Sequence, residues 1–391
     1  MVFCLTSLDR PNTQHQRLSM AKVKRSTVII AGGGTAGHVL PGLAIAQALV
    51  DEGVVTEASE VHLLGSERGI EVRLAPEAGF SLSALPGRGI QRRLALANIA
   101  AVWGLLKAMA MGIKIVANRR PGVVVSLGGY ASVPGSLAAV LLRVPLVVVE
   151  QNAVPGAANR LFGRFASACV VAFDHTGLPK ATNLGNPVRE EVRRLTNGTG
   201  RSAARADLQL DAQHLVVVFG GSLGARRINQ ATAQMVEDWA GAPIVVHHVL
   251  GGRDFAQSDC QPRQAPSNVD YRPVEYENNL PKLLAAADVV ICRSGATTVA
   301  ELSTIGVPAI LIPLPGAPGD HQTLNAQELQ TCGAAVLLPD ADTTGRQLAA
   351  TLGELLENNA RRATMAQAGA ALGRPYAAQE VAVLVKEKMR D

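Results

Sequence analysis

Aromatic residues are scarce in this sequence, and cysteines are few and scattered. Phe, Trp and Tyr make up 3% of the 391 residues, whereas 48% are hydrophobic and 18% are charged. This balance excludes general disorder. The cores must therefore consist of Val, Leu, Ile and Ala, as in parallel sheets covered by helices. The five cysteines have no metal-binding spacing, which predicts reduced thiols in a cytosolic protein.

The N-terminal segment lacks a continuous apolar run and a small-residue cleavage site. It therefore predicts no secretory signal. Met20 lies shortly before the first apolar run and is a second plausible start of the chain. We expect residues 1–25 to form a disordered extension.

Acidic residues are missing between Glu77 and Glu150, although this stretch is rich in basic residues. The basic residues are Arg88, Arg92, Arg93, Lys107, Lys114, Arg119, Arg120 and Arg143. Such a block attracts phosphate, on nucleic acid or at an anionic membrane surface. Aromatic residues do not interleave with these positions, which disfavours nucleic acid. A chance distribution on a solvated face is the alternative.

A mostly apolar stretch at 94–111 lies inside this basic block. Asn98 and Lys107 oppose a membrane-spanning helix, because a Lys near the middle costs about 2.5–3.5 kcal/mol. The stretch, with Trp103 in it, therefore predicts a helix that lies at the membrane interface. A plain core helix is the alternative.

Glycine-rich loops follow two apolar runs about half a chain apart. The loop at 33–38, Gly-Gly-Thr-Ala-Gly-His, follows the run at 27–31, and the loop at 220–225, Gly-Gly-Ser-Leu-Gly-Ala, follows the run at 215–219. Glycines let backbone amides approach an anion at the start of a helix. The pair predicts two Rossmann-like domains facing a cleft, which suits an enzyme that joins a nucleotide-bound group to a phosphorylated acceptor.

Strand and helix patterns alternate along both halves, which predicts parallel sheets. The predicted strands are 27–31, 61–64, 81–85, 123–126, 146–150 and, as the last of the first half, 169–173, then 215–219, 244–249, 288–292, 308–313 and 334–338. Gly and Pro at 184–189 predict a hinge there. The domains are expected at 26–186 and 187–372, with a helix in 373–391 that packs back on the first domain.

His38 is the candidate catalytic base. The loop before it is no dinucleotide fingerprint, since no acidic residue ends the second strand. At the start of a helix an imidazole could act on a substrate hydroxyl. The alternative is that His38 caps the helix or binds phosphate.

A second candidate anion site follows the strand at 288–292. Ser294, Gly295 and the amides at 296–298 would form it, and Glu301 could accept hydrogen bonds from a ribose diol. Glu301 could instead be an acid favoured by the helix dipole. Asp-Ala-Asp at 340–342 is read as a loop and helix-cap sequence far from the other motifs. No metal site or other cofactor is expected.

The motifs together resemble the MurG family, the peptidoglycan N-acetylglucosaminyltransferases that convert lipid I to lipid II. The matching segments are Gly-Gly-Thr-Ala-Gly-His-Val-Leu-Pro at 33–41, Gly-Gly-Tyr at 128–130, Glu-Gln-Asn at 150–152 with Gly156, Gly-Asn-Pro-Val-Arg at 185–189, Gly-Gly-Ser-Leu-Gly-Ala-Arg at 220–226 with Asn229 and Gln230, Cys-Arg-Ser-Gly-Ala-Thr-Thr-Val-Ala-Glu at 292–301 and His-Gln-Thr-Leu-Asn-Ala at 321–326. The resemblance covers residues 27 to about 330 in family order. It implies an α/β fold of the GT-B type, with two Rossmann-like parallel-sheet domains.

The resemblance implies that UDP-GlcNAc is held mainly by the C-terminal domain. The residues it assigns to UDP-GlcNAc are Thr35, Ala36, Gly37, Asn152, Arg189, Ser222, Glu277, Ala296, Thr297, Thr298, Val299, Ala300, Glu301 and Gln322. Among these, Arg189 and Ser222 would touch the pyrophosphate, Glu301 the ribose and a backbone group near Glu277 the uracil. Ala36 stands where many members have Gly, and Leu223 where many have Gln.

The implied reaction is the inverting transfer of GlcNAc from UDP-GlcNAc to lipid I, without a tightly bound metal, in cell-wall synthesis, cell shape and division. The expected location is peripheral, on the cytoplasmic face of the cell membrane. Arg88, Arg92, Arg93, Trp103 and Lys107 would meet the anionic leaflet. Other cell-wall synthesis proteins are expected as partners and nucleic acid is not. A UDP-GlcNAc 2-epimerase, another glycolipid glycosyltransferase and a non-catalytic sugar-nucleotide-binding scaffold are the alternatives.

Overall fold

The computed structural model describes residues 27–86, 97–196, 199–210, 213–221 and 224–390. The expected extension at 1–25 lies outside the described residues, as do Arg88, Arg92, Arg93, Ser222 and Leu223. Within them, the chain forms two parallel sheets, each covered by helices on both faces.

The first sheet has seven strands in the order β3-β2-β1-β4-β5-β6-β7. They are β1 Val28–Ala31, β2 Val61–Ser66, β3 Ser81–Leu85, β4 Val123–Ser126, β5 Leu146–Glu150, β6 Ala168–Val171 and β7 Ala181–Asn183. Every pairing is parallel. Alternate residues of β1 enter cores on opposite faces, Val28 and Ile30 on one and Ile29 and Ala31 on the other. A strand buried on both faces explains its unbroken apolar sequence.

The second sheet has six parallel strands in the order β10-β9-β8-β11-β12-β13. They are β8 His214–Phe219, β9 Ile244–Val249, β10 Val269–Val274, β11 Val289–Cys292, β12 Ala309–Leu311 and β13 Ala335–Leu337. The sheet again separates two apolar cores.

Helices cover both sheets; most of them connect successive strands, and the last three follow β13. They are α1 Ala36–Asp51, α2 Glu71–Glu77, α3 Ala97–Arg119, α4 Val133–Leu141, α5 Ala157–Phe162, α6 Glu190–Arg193, α7 Arg201–Asp207, α8 Arg226–Glu237, α9 Leu280–Ala286, α10 Ala296–Ile305, α11 His321–Thr331, α12 Gly345–Glu357, α13 Asn359–Leu372 and α14 Ala377–Lys388. In both sheets the strand order reverses beside the strand that precedes a glycine loop, between β1 and β4 and between β8 and β11. Ligands of such sheets bind at the carboxyl ends of the strands at this reversal.

Two edge strands were not predicted from the sequence. The expectation that the strand at 169–173 is the last of the first half is wrong, because β7 follows it, and β10 is an additional strand of the second half. β7 is three residues long, and β10 contains Asp270, Arg272 and Pro273. Polar residues and proline are tolerated at an edge, where one side of the ladder is unpaired. Neither sequence therefore shows the apolar run of a central strand.

The last helix, α14, packs on the first sheet rather than the second. Val381, Ala382 and Val385 are fully buried in the core that also contains Ile45 and Leu49 of α1. Past the helix, the Arg390 amide donates to the Gly122 carbonyl before β4 (3.0 Å). The unit built on the first sheet is thus completed by the C-terminal end of the chain.

No helix in the described parts of the chain combines the length and apolar character needed to cross a membrane.

Candidate active site

His38 stands in the first turn of α1, at the carboxyl end of β1. Its ring is half-buried, Nδ1 lies 3.3 Å from Thr35 Oγ1, and a Cβ added to Gly129 would lie 3.3 Å from its Cε1. The ring therefore packs between the loop before α1 and the loop after β4. Burial lowers the pKa of His38, while the carboxylates of Glu150 and Glu71 and a hydrogen bond to the Gly33 backbone raise it. The net effect is a pKa below the ordinary value, which favours the neutral imidazole, the form that can accept a proton.

Glu150 organises the loop that follows β5. Its buried carboxylate accepts hydrogen bonds from the amides of Asn152 and Gly156 (both 3.0 Å) and from the side chain of Asn159 (2.9 Å). Several donors satisfy a buried charge that would otherwise be costly. The bonds also fix Asn152, a predicted UDP-GlcNAc ligand, at the mouth of the cleft.

Asn325 on α11 joins the two sheet units. It is fully buried, its Oδ1 accepts from the Ala153 amide (2.9 Å), and its Nδ2 donates to Asn152 Oδ1 (3.3 Å) and to the Ser294 carbonyl (3.2 Å). One side chain thus connects the loop after β5 with the loop after β11. The two loops face each other across the cleft.

The first turns of α1 and α10 also meet across the cleft. Thr297 Oγ1 donates to the Gly37 carbonyl (3.4 Å). The amides of Ala296, Thr297 and Thr298 precede the first intrahelical bond of α10, which runs from Val299 to Gly295 (2.9 Å). Two helix starts at one point favour an anion there. Thr35 and Ala36 directly precede Gly37 and therefore lie at the same start of α1, where it meets α10.

Glu301, one turn further along α10, is buried and paired with Arg189. Arg189 Nη2 and Nε donate to Glu301 Oε1 at 2.8 and 3.2 Å. Burial raises the pKa of Glu301, and the adjacent Arg189 guanidinium lowers it. The side chain of Val299 belongs to the core of the second unit, with Ala300 packed against that core. The structure thus does not bring these two side chains together with the other predicted donor ligands.

Gln322 lies on α11 beside the predicted anion site. Its Oε1 accepts from the Leu314 amide after β12 (3.0 Å), and its carbonyl accepts from Ser294 Oγ (2.8 Å). The loop after β12 therefore holds Oε1 of Gln322. Ser294 itself is fully buried and holds α11 against the loop after β11.

Glu277 lies apart from these residues, just beyond β10 at the edge of the second sheet. Its carboxylate accepts from the Asn279 amide (2.6 Å), and Oε2 lies 3.3 Å from His247 Nε2.

The expectation that residues 340–342 are far from the other motifs is wrong. Asp340 pairs with Arg293, which follows β11 (2.6 Å).

The membrane-facing prediction centres on α3. Trp103 is 72% exposed and Leu106 53% exposed, and Lys107 is exposed beside them. Ala108 and Val116 are buried on the other side of the helix. α3 is therefore amphipathic and is not a plain core helix.

In the described parts of the chain, no group of three or more His, Cys, Asp or Glu side chains is arranged to hold a metal ion. The expected independence from a bound metal stays a prediction.

Family models match both halves of the chain. Residues 28–171 match the glycosyltransferase family 28 N-terminal domain and residues 215–381 the C-terminal domain. Two relatives, from Acidothermus cellulolyticus and Alkalilimnicola ehrlichii, are each 40% identical to this chain. Both are named UDP-N-acetylglucosamine–N-acetylmuramyl-(pentapeptide) pyrophosphoryl-undecaprenol N-acetylglucosamine transferase. The alignments cover 92% and 93% of this chain and 97% and 99% of theirs.

The chain belongs to the MurG family of glycosyltransferases. The crystal structure of Acinetobacter baumannii MurG is similar, with a TM-score of 0.72 and 30% identity over 92% of this chain and 99% of that one. A UDP-GlcNAc 2-epimerase from Neisseria meningitidis shares the fold alone, with a TM-score of 0.65 and 13% identity over 92% of this chain and 100% of that one. The resemblance drawn from the motifs, the GT-B fold and the glycosyltransferase class are confirmed.

Two MurG-family residues that organise the site are missing from the predicted ligands. Glu150 and Asn325 both lie inside the matched motifs, but their roles are to fix loops. The available signal was a carboxyl or amide residue at the carboxyl end of a buried strand, or one turn into the helix after it. That signal identifies polar residues near a site, but it does not distinguish a residue that binds the ligand from one that holds a neighbouring loop in position.

Proposed function

We propose that this chain transfers GlcNAc from UDP-GlcNAc to lipid I, undecaprenyl-pyrophosphoryl-MurNAc-pentapeptide, and so forms the β-1,4 linkage of lipid II. The observation that carries the proposal is the meeting of α1 and α10. The start of α10 offers amides to a sugar-nucleotide diphosphate, and His38 stands in the first turn of α1, opposite it.

The chemistry follows from this arrangement. The acceptor hydroxyl attacks the anomeric carbon and gives its proton to the His38 imidazole. The bond from the anomeric carbon to the phosphate oxygen breaks, and its electron pair leaves with UDP. The helix starts stabilise the growing negative charge of UDP. Attack from the face opposite UDP inverts the anomeric centre.

Donor binding is assigned to the second unit. The amides of Ala296, Thr297 and Thr298 would bind phosphate, and Glu301 would accept from the ribose through Oε2, since Oε1 is held by Arg189. Gln322 Nε2 and Asn152 would bind the sugar. The uracil would lie towards Glu277.

The acceptor is lipid-borne, and we assign the membrane-facing surface to α3. Its exposed Trp103, Leu106 and Lys107 combine an apolar side chain that enters the interface with a positive charge that anionic lipid attracts. This surface belongs to the unit that carries His38. Docking it on the cytoplasmic leaflet would bring the cleft to the acceptor diphosphate. The protein would act there peripherally, beside other cell-wall synthesis proteins.

A direct assay tests the proposal. The purified protein is incubated with UDP-GlcNAc and a lipid I analogue, and the products are separated by mass. We expect a disaccharide-bearing lipid and UDP in equal amounts. Conversion of UDP-GlcNAc to its 2-epimer would instead support the epimerase alternative. Binding of UDP-GlcNAc without any product would support the scaffold alternative.

A further inference from the structure

Glu71 places a buried carboxylate against the first glycine loop. The residue is 1% exposed, its Oε1 accepts from the amides of Ser66 (2.6 Å) and Gly34 (3.0 Å), and its Oε2 also accepts from Gly34 (2.9 Å). A buried carboxylate is costly unless donors reach it. The Gly34 amide, which the sequence offered to a substrate phosphate, is therefore occupied by the protein's own carboxylate.

The space for this carboxylate is made by three glycines. A Cβ added to Gly33, Gly65 or Gly69 would lie 2.0, 2.5 or 1.9 Å from an atom of the Glu71 side chain. A side chain at any of these three positions would force the Glu71 side chain to move. The backbone of two loops is thus shaped around this single carboxylate.

Glu71 connects three loops at the carboxyl edge of the first sheet. Gly34 lies between β1 and α1, and Ser66 is the last residue of β2. Ser66 Oγ in turn hydrogen-bonds the hydroxyl of Tyr130, which follows β4. Two of the three loops, those after β1 and after β4, are the ones that enclose the His38 ring.

Titratable side chains face His38 from three elements. Glu71 faces it from α2, Glu150 from the end of β5 and His321 from α11 of the second unit. The two carboxylates favour the protonated ring, and His321 opposes it. Glu71 therefore acts on His38 both through the loop geometry and through its charge.

We propose that Glu71 is a positioning residue for the transfer reaction: it fills the amide site of the first glycine loop, sets the position of His38, and stabilises the charge that His38 gains with the acceptor proton. The inference rests on the proposed function, because it gives His38 the role of base. Glu71 touches neither substrate in this role.

Glu71→Gln separates charge from shape. The Gln Oε1 can accept from both Ser66 and Gly34, which leaves the cradle filled while the negative charge is lost. Glu77→Gln is the matched control, since Glu77 is exposed on the same helix and pairs only with Arg73 among the ion pairs of the described residues. For Glu71→Gln we expect a kcat about 10- to 100-fold lower with an unchanged KM for UDP-GlcNAc. Glu77→Gln is expected to match the parent.

Two readouts separate positioning from a merely structural role. In a His38→Ala background, Glu71→Gln is expected to cause no further loss, because it acts through the missing ring. By NMR titration, the His38 ring is expected to lose its proton at lower pH in Glu71→Gln than in the parent protein. Full additivity of the two substitutions, or an unshifted His38 titration, would overturn the proposal.

Failure of the proposed function would look different. If the parent protein formed no disaccharide lipid, GlcNAc transfer would be refuted, while the NMR titration would still report whether Glu71 controls His38.

Discussion

The guanidinium of Arg189 donates two hydrogen bonds to one oxygen of Glu301, at 2.8 and 3.2 Å. Arg189 lies in the connection between the two sheet units, and Glu301 lies on α10 of the second. Their side chains are 25% and 6% exposed. The pair joins two residues that the family resemblance assigned to different parts of the donor, the pyrophosphate and the ribose. A donor that contacts both side chains therefore binds to an ion pair and not to two independent residues.

Glu301→Ala is expected to weaken UDP-GlcNAc binding by about 1–3 kcal/mol, since it removes a hydrogen-bond acceptor and leaves Arg189 without this partner. Calorimetry with UDP-GlcNAc measures the effect. Glu357→Ala, an exposed acid at the end of α12, is the control. Donor affinity equal to that of the parent would remove Glu301 from the donor site.

His38→Ala is expected to lower turnover by about 10²–10⁴-fold with little change in donor affinity. Because the pKa of His38 is lowered from its ordinary value of about 6.5, the ring stays unprotonated to below that pH. The acid limb of kcat/KM against pH should therefore lie below pH 6.5. Near-normal turnover in His38→Ala would return His38 to a structural role.

Asn325→Ala is expected to loosen the contact between the two units. The change removes three hydrogen bonds of a fully buried side chain and leaves the Ala153 amide without its acceptor, a cost of about 1–3 kcal/mol. We expect a lower thermal midpoint and a larger radius of gyration by small-angle scattering. Gln327→Ala, exposed on the same helix, is the control. A radius unchanged from the parent would show that Asn325 does not hold the cleft.

Activity is expected to survive chelation, since the helix starts and Arg189 offer the positive potential that leaving UDP needs. The transfer assay is run after dialysis against EDTA. Activity that is lost and then restored only by Mg²⁺ or Mn²⁺ would contradict the prediction.

Vesicle binding is expected to require the membrane-facing surface. Lys107→Glu, or Arg92→Glu with Arg93→Glu, should weaken binding to anionic vesicles by about 1 kcal/mol or more per reversed charge, and added salt should do the same. Trp103→Ala should weaken binding at every salt concentration. Arg346→Glu, exposed in the second unit, is the control. Binding indifferent to charge reversal and salt would place the docking surface elsewhere.

The central strands and the glycine loops could be predicted from sequence, because a strand buried on both faces has a continuous apolar sequence. β1 is apolar throughout, β8 is apolar from Leu215 onward, and glycine follows each. β10 has no continuous apolar run, since an edge strand exposes polar residues such as Asp270. Its six residues are recognised as a strand only by their pairing with β9.

The candidate site was predicted as a set of residue types, but not as a set of contacts. Sequence motifs identified Arg189, Glu301 and Asn152 separately. Their partners lie far along the chain, 112 residues apart for Arg189 and Glu301 and 173 for Asn152 and Asn325. Such pairings depend on how two sheets are arranged, which periodicity within one segment does not encode.

The return of α14 to the first unit decides how the protein can be divided. A fragment ending near residue 183 would contain all seven strands of the first sheet, yet it would expose the surface of α1 that Val381 and Val385 cover. A fragment spanning 187–391 would carry the same helix with its apolar face uncovered. The two halves are therefore not exchangeable modules. A functional chimera between relatives must take the N-terminal half and the last helix from the same parent.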